Sequence, residues 1–232
     1  MRVALTLILF LLIIPCLAQS DKANTLLEEA QALVEEKQYE AAVENYKKAA
    51  NYFRRKKNKL DRSKALLQAS ETYLLLKETF KSQQLSIKII KLNSSKSAVT
   101  AHAYLVLGKG DYLDGQLPEA LKNFRKAKSI AENLTPKDST IIGQSKRMIG
   151  ATHNRLGQAE VALIHANEAM EIFEAIQPVP QRDIAATYGT LGEIFLKKNN
   201  TIPQLIFLEK LSTTIPKRLV NNKNWLQNNF FF

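Results

Sequence analysis

The stretch YLVLGKGDYLDGQLPEALKNFRKA, residues 104–127, decides the fold of this chain. Within it, Gly108 is followed by Gly115, Ala120, Phe124 and Ala127. The same spacing returns one unit later, with an alanine in place of the phenylalanine, in Gly150, Gly157, Ala162, Ala166 and Ala169. Recurrence at a fixed period indicates an array of similar structural units rather than one irregular domain.

The spacing predicts two helices that pack closely against each other. A glycine inside a helix costs about 1 kcal/mol relative to alanine, so Gly108 needs a packing role, which the close approach of a second helix supplies. Ala120 and Ala127 lie two turns apart on one face of that second helix, and Phe124 fills the space between them. Gly115 ends the first helix, because glycine adopts the left-handed conformation of a helix C-terminus without strain.

These residues resemble the tetratricopeptide repeat (TPR), a helix–turn–helix unit that stacks into a solenoid. The resemblance implies an all-α fold, a right-handed superhelix of antiparallel helix pairs with about ten helices and about five repeats. The array covers residues 19–213, with repeats near 23–57, 63–92, 98–136, 138–178 and 183–213. The spacing from unit to unit is about 38 to 42 residues, longer than the minimal repeat of about 34 residues. In this the units resemble the long-helix variant found in kinesin-light-chain-like and bacterial regulatory arrays.

Four repeats depart from the pattern. Repeat one has Glu29 and Ala30 where leucine and glycine are usual. Repeat two aligns only with a one-residue insertion in its turn, and the buried face of its second helix is then expected to hold Phe80, Gln83, Ile87 and Ile90. Repeat four has Lys146 where a large apolar residue is expected. In the second helix of repeat five, the positions expected to hold alanine, an aromatic residue and alanine are occupied by Gln204, Leu208 and Leu211.

The N-terminal residues 1–18 are typical of a secretory signal peptide. Arg2 precedes an apolar run over residues 3–14, which is too short for a membrane span of about 20 residues. Cys16-Leu17-Ala18 has the small-x-small order of a cleavage site, which predicts a mature chain that begins at Gln19. We expect export to the periplasm or the medium. The alternatives are a retained anchor and a lipoprotein acylated at the cysteine.

Catalytic and metal-binding motifs are absent from the sequence. Cys16 is the only cysteine, so the mature chain has no disulfide, thiol nucleophile or cysteine metal ligand. Gly108-Lys109-Gly110 lies inside a helical pattern instead of after a strand, which argues against a phosphate-binding loop. The histidines lie on different predicted helices without metal-ligand spacing, at His102, His153 and His165. The sequence therefore predicts a protein that is not an enzyme and binds no metal or cofactor.

The net charge is +11, or +10 once Arg2 leaves with the signal peptide, which favours acidic partners or anionic surfaces. The densest basic run is Arg54–Lys57, followed by Lys59, Arg62 and Lys64. This run is either a patch for acidic partners or membrane headgroups, or a solvated loop between repeats. Because no aromatic residues interleave with it after Phe53, a nucleic-acid surface is not expected.

The TPR resemblance also implies that the first helices of the repeats line a concave groove. By the repeat pattern, the groove-facing positions of repeats three and four include Lys109, Tyr112, Arg147, Asn154 and Arg155. Cationic groups beside a rigid aromatic ring are typical of a partner-binding surface, here for a protein or peptide segment of acidic character. The alternative interpretation is an ordinary solvated face.

Two functions fit these observations. The first is an exported, non-enzymatic TPR scaffold that binds a peptide or protein partner through its concave groove. The second rests on residues 214–232, a tail or capping helix that ends in three phenylalanines, Phe230 to Phe232. If the chain continues into a membrane helix, its layout resembles bacterial histidine kinases, notably of the Bacteroidetes type, and the array is a sensory input region. Membrane association is expected only in that case, or if Cys16 is lipidated.

Overall fold

The computed structural model describes residues 22–197. The predicted signal peptide, the second helix of repeat five and the tail from residue 214 lie outside this range. Within residues 22–197 all regular elements are α-helices. None of these helices is both long and apolar enough to cross a membrane.

Nine helices follow one another along the described chain. α1 covers residues 22–35. The others are α2 (Tyr39–Arg55), α3 (Lys59–Leu75), α4 (Thr79–Leu92), α5 (Ala98–Leu113), α6 (Leu117–Glu132), α7 (Ser139–Arg155), α8 (Ala159–Glu174) and α9 (Gln181–Lys197). They form two compact units that meet in sequence after Ser94, so that α1–α4 belong to the first unit and α5–α9 to the second. Within each unit, consecutive helices pack against each other as antiparallel neighbours.

Five helix–helix turns share one backbone conformation. Each has a residue in the left-handed region, with φ between 55° and 80°, at Lys37, Lys57, Lys77, Gly115 and Gly157. In the α5–α6 turn, the Gly115 N–H donates to the Tyr112 carbonyl and the Gln116 N–H to the Asp111 carbonyl, which satisfies the end of α5. The predicted glycine role at the turn is confirmed for residues 115 and 157, and three lysines adopt the same conformation in the first unit.

The α3–α4 pair contradicts the predicted face of repeat two. Phe80 and Ile87 are 69% and 41% exposed, so they do not form the buried face of α4. The buried residues of α4 are Ser82, Ser86 and Ile89. Counted from Ser70, they and the turn residue Lys77 keep the spacing that starts at Gly108 in the third repeat, so no insertion is present. The prediction was wrong because serines occupy the small-residue positions of this helix contact, where the pattern leads one to expect glycine and alanine.

Buried hydroxyl groups make that contact possible. The Ser70 Oγ donates to the Ser82 carbonyl at 2.8 Å and lies 2.9 Å from the Ser86 Oγ. All three side chains are fully buried. A buried hydroxyl without a partner is unfavourable, so the three serines stabilise the α3–α4 contact only because they satisfy one another.

The second unit confirms the predicted close contacts at the glycines. A Cβ atom built at Gly108 would lie 2.7 Å from the Phe124 ring, and one at Gly150 would lie 2.9 Å from the Ala162 carbonyl oxygen. Lys146, where a large apolar residue was expected, is half-buried and forms an ion pair with Glu168 of α8 at 2.7 Å. The core of this unit lies between the helices and is rich in alanine, with Phe124 among its fully buried large side chains.

Candidate functional site

The first helices of three successive pairs form one surface in the second unit. α7 packs against α5 on one side and against α9 on the other. We call this surface the α5–α7–α9 face; its polar residues are Lys109, Tyr112, Gln144, Arg147, Arg155, Asp183, Glu193 and Lys197. The arrangement brings together side chains that are distant in the sequence, from position 109 on α5 to position 197 on α9.

Arg155 joins α7 to the end of α5. Its guanidinium carbon lies 4.6 Å from the centroid of the Tyr112 ring, and its Nη1 donates a 2.6 Å hydrogen bond to the Tyr112 carbonyl. Tyr112 lies in the last turn of α5, where a cation is favoured by the helix dipole. Arg155 therefore has a structural role: it caps α5 and stacks on the aromatic ring.

The same bond recurs one repeat later. The Lys197 Nζ of α9 donates a 2.7 Å hydrogen bond to the Asn154 carbonyl of α7. In the repeat register, residues 154 and 197 are the counterparts of Tyr112 and Arg155. At the other end of α9, the Gln144 Nε2 donates to the Asp183 Oδ1 at 2.8 Å. The recurring cation was visible in the sequence at the repeat spacing, but a carbonyl acceptor leaves no sequence pattern.

Arg147 lies on α7 between these contacts. Its side chain is half-buried, and its Nε has no hydrogen-bond partner among residues 22–197. Burial lowers the pKa of the Arg147 guanidinium from its ordinary value, while the charge of Asp183 and, more weakly, that of Glu193 raise it. Arginine stays protonated at any such shift, so the face holds a partly desolvated cation.

The α9 carboxylates correct the prediction of a basic surface. Glu193 is exposed, but partial desolvation raises the pKa of its carboxyl above the usual range, against the opposing charges of Arg147 and Arg155 on α7. Burial also raises the pKa of the Tyr112 phenol, as does the charge of Glu193, whereas Arg155 lowers it. The face therefore combines cations from α7 with carboxylates from α9.

The remaining predicted site residues differ in accessibility. Lys109 is half-buried on α5, one turn before Tyr112 and on the same side of the helix. Asn154, in contrast, is only 6% exposed, and its Oδ1 has no hydrogen-bond partner in the described part of the chain. Its side chain is thus below the surface that was expected to contain it.

Two of the histidines meet although their spacing gave no sign of it. The rings of His153 and His165 stack at a centroid distance of 5.8 Å. The His165 Nδ1 lies 3.2 Å from the Glu168 Oε2, which also accepts from Lys146. No group of three or more histidine, cysteine or acidic side chains suited to a metal ion occurs among residues 22–197.

Comparison with known proteins identifies the class of fold. Residues 97–175, which include α5 to α8, match the model of the tetratricopeptide repeat. The described chain therefore has the all-α fold of a TPR-type solenoid. No sequence among curated proteins matches the chain at a significant level.

Solved structures with similar folds support the same class. The apo form of RapI is 19% identical with a TM-score of 0.67, over 91% of this chain and 78% of that one. A Rap protein complexed with competence and sporulation factor is 14% identical with a TM-score of 0.73, over 83% of this chain and 54% of that one. A putative kinesin light chain protein from Podosopora anserina, with nearly identical TPR-like repeats, is 13% identical with a TM-score of 0.60, over 88% of this chain and 98% of that one. These identities establish the fold alone.

Proposed function

We propose that this chain is a non-enzymatic TPR scaffold that binds a peptide or protein segment on the α5–α7–α9 face. The observation that carries the proposal is the half-buried Arg147, whose Nε lacks an acceptor within residues 22–197. A buried guanidinium N–H without an acceptor is unfavourable, and a carboxylate of a partner would form charge-assisted hydrogen bonds with this side chain. The Tyr112 ring beside it offers a rigid aromatic contact.

The charges of the face define the chemistry of the segment. A carboxylate opposite Arg147 suits the cations of α7, but a uniformly acidic segment would be repelled by Glu193 on α9. Asp183 already accepts from Gln144. We therefore expect a segment in which an acidic side chain or a C-terminal carboxylate lies next to a basic or neutral residue.

The fold is suited to such binding. The Rap protein of similar fold was solved with competence and sporulation factor bound, so at least one structural neighbour holds a partner. Solvent-exposed charges contribute little one at a time, so the binding should depend on several of them and weaken with salt.

The test is a selection from a displayed random-peptide library, followed by fluorescence anisotropy on the selected peptides. The variant Lys109→Glu, Arg147→Glu, Arg155→Glu should weaken binding at least tenfold. A matched control with the same change of charge is Lys122→Glu, Arg125→Glu, Lys126→Glu on the exposed side of α6. Undiminished affinity in the first variant, with unchanged circular dichroism in both, would rule out this face as the binding site.

Export is a separate part of the proposal. It is supported by the order of Arg2, an apolar run and a small-x-small site in residues 1–18. N-terminal sequencing of the protein from an exporting cell should give Gln19 as the first residue. Recovery of a soluble cytosolic protein that still begins with Met1 would contradict export.

A further inference from the structure

The first unit gathers basic residues at one of its ends. α2 ends and α3 begins there, and α4, which is antiparallel to α3, ends there too. The Asn93 side chain, directly after α4, donates to the Ser63 Oγ near the start of α3 at 2.8 Å. Lys22 of α1 reaches the same end, since its Nζ lies 5.9 Å from the centroid of the Tyr52 ring in α2. We call this region the basic end; its cationic residues are Lys22, Arg54, Arg55, Lys56, Lys57, Lys59, Arg62, Lys88 and Lys91.

Acidic residues are nearly absent from the segments that form the basic end. Residues 45–70 contain one acidic residue, Asp61, and residues 79–97 contain none. Asp61 accepts a hydrogen bond from the Asn58 side chain at 2.7 Å and lies 3.5 Å from the Lys64 Nζ, so its carboxylate is already paired with these neighbours. The glutamates of this unit concentrate on α1, on the first turns of α2 and at the α3–α4 turn. The fold thus separates charge along the unit, beyond the single basic run seen in the sequence.

Exposed aliphatic side chains accompany these cations. Leu60 is 51% exposed at the second position of α3, where α2 and α8 have the glutamates Glu40 and Glu160. Ile87 of α4 is exposed as well, and it lines a shallow depression with Gln84, Lys88, Lys91 and Leu92. Lys59 is the first residue of α3, where the helix dipole disfavours a cation. Neither the exposed Leu60 nor the cation of Lys59 stabilises the start of α3, which points to a role for these residues outside folding.

We propose that the basic end binds an anionic membrane surface, with Leu60 and Ile87 entering the headgroup region. Clustered lysines and arginines bind such surfaces through additive electrostatic attraction, and isolated aliphatic side chains add to it by partial insertion. Nucleic acid is a poorer match, because the aromatic ring in this region, Tyr52, is half-buried and already lies near the cations of Lys22 and Arg55, so it is a poor platform for base stacking. This surface belongs to the first unit and is independent of the proposed peptide site on the second.

The test is sedimentation of the protein with vesicles of phosphatidylcholine, alone or mixed 7:3 with phosphatidylglycerol, at low and high salt. The wild-type protein should partition onto the anionic vesicles much more than onto the neutral ones, and high salt should abolish the difference. The variant Lys57→Gln, Lys59→Gln, Lys88→Gln, Lys91→Gln should lower this partitioning by about 600-fold, at roughly fivefold for each of the four basic residues.

The matched control removes the same charge from the second unit. It is Lys122→Gln, Arg125→Gln, Lys126→Gln, Lys137→Gln, four exposed residues whose loss should change partitioning by less than about threefold. Leu60→Ser should weaken anionic binding several-fold and leave its salt dependence intact. Any apolar contribution of residues 3–14 is common to all variants, so the ratio of anionic to neutral partitioning is compared. Equal partitioning onto both vesicles, an equal loss in both quadruple variants, or binding to DNA or an acidic protein without vesicle binding would overturn the proposal.

Discussion

Gly143 of α7 and Phe173 of α8 form a glycine–aromatic contact that repeats the contact of Gly108 with Phe124 at a different height of the helix pair. A Cβ atom at Gly143 would lie 2.6 Å from the Phe173 Cε1, and one at Gly108 would lie 2.7 Å from the Phe124 Cε1. Both rings are fully buried. In each pair, the missing Cβ of one helix provides the room for the ring of the other.

Relative to the α5–α6 pair, the α7–α8 pair has both the glycine and the aromatic ring at different positions of the repeat. By the repeat period that relates Gly108 to Gly150, the equivalents of Gly143 and Phe173 in the preceding pair are Ala101 and Ala131. At the position of Phe124, α8 has Ala166, whose backbone nitrogen would lie 3.3 Å from a Cβ at Gly150. The helices are too close there for an aromatic ring, so the ring occupies a site two turns further along α8 and faces a glycine two turns earlier in α7.

The first prediction concerns this coupled pair. Gly143→Ala should lower the free energy of unfolding by about 1–3 kcal/mol, because the new Cβ meets a ring that is buried on all sides. Phe173→Leu should be less harmful in that background than in the wild type, with a coupling of about 1 kcal/mol in a double-mutant cycle of denaturant unfolding. Additive effects of the two substitutions would show that the residues do not constrain each other.

The second prediction concerns Gly150, where the obstacle is backbone. Gly150→Leu should separate α7 from α8 and lower the free energy of unfolding by roughly 1–3 kcal/mol or more. The new side chain would meet the Ala162 carbonyl oxygen, a backbone atom that no second substitution can remove. Asn167→Leu, on the exposed side of α8, serves as the control and should stay within about 0.5 kcal/mol of the wild type. An unchanged melting temperature for Gly150→Leu would show that Gly150 is not needed for the contact between α7 and α8.

The all-α architecture followed from the sequence because it rests on small residues at a fixed period. Glycine and alanine in the closest contacts leave few alternatives, so α5 to α8 could be predicted from residues 108–169. Repeat two was misaligned because its contact uses Ser70, Ser82 and Ser86, whose hydroxyls are compatible with burial only when they bond to one another. That mutual satisfaction depends on three-dimensional positions, and a pattern of apolar residues does not contain it.

The candidate site was predictable in location but only in part in character. The repeat pattern put Tyr112, Arg147 and Arg155 on first helices, and the fold brings them together. The pattern did not show that Arg155 donates to the Tyr112 carbonyl oxygen. Every residue has a backbone carbonyl group, so such an acceptor leaves no trace in the sequence. The charge of the face differs from the prediction for a related reason: the effect of Glu193 on Arg147 depends on how α9 packs against α7, which the repeat pattern does not specify.

The third prediction concerns the left-handed turn residues. Lys77 has a φ of 58°, which is unfavourable for a residue with a Cβ, and its side chain is exposed. Lys77→Gly should therefore raise the free energy of unfolding by about 0.5–1 kcal/mol, after the greater freedom of glycine in the unfolded chain is taken into account. Gly115→Ala, at the same turn position of the second unit, should lower it by about 1 kcal/mol with no clash involved. Effects of the same sign at both positions would contradict the conformational explanation.

The fourth prediction concerns pH. Burial lowers the pKa of His165 below its usual value, and the nearby charges of Lys146 and His153 lower it further, while Glu168 opposes the shift. The folded state therefore binds this proton less readily than the unfolded state does. The stabilising contribution is complete above the unfolded pKa of about 6.5 and is lost as the pH falls below it.

His165→Gln should accordingly reduce the loss of stability between pH 7.5 and 5.5, measured by urea unfolding at each pH. Glu168 does not interfere in this window, since its bond with Lys146 holds the pKa of that carboxyl below its usual range. An NMR titration of the His165 ring should give a midpoint below that of a histidine in an unfolded peptide. Parallel stability curves for the variant and the wild type would contradict the assignment.

The last prediction tests the electrostatics of the α5–α7–α9 face without requiring its partner. The Arg155 cation favours the ionised Tyr112 phenol, so Arg155→Gln should raise the pKa of Tyr112 further. The Glu193 carboxylate disfavours that ionised form, so Glu193→Gln should lower the pKa. Tyrosine ring-carbon NMR over the alkaline range, with circular dichroism to exclude unfolding, measures both shifts, and Arg155→Lys should give a smaller change than Arg155→Gln because the charge is kept. If Glu193→Gln raised the pKa of Tyr112 instead, the carboxylate of α9 would not act on the ring, and the expected pairing of an acidic with a basic or neutral residue in the bound segment would lose its basis. If Arg155→Gln lowered the pKa, the stabilising role of the Arg155 cation would be wrong.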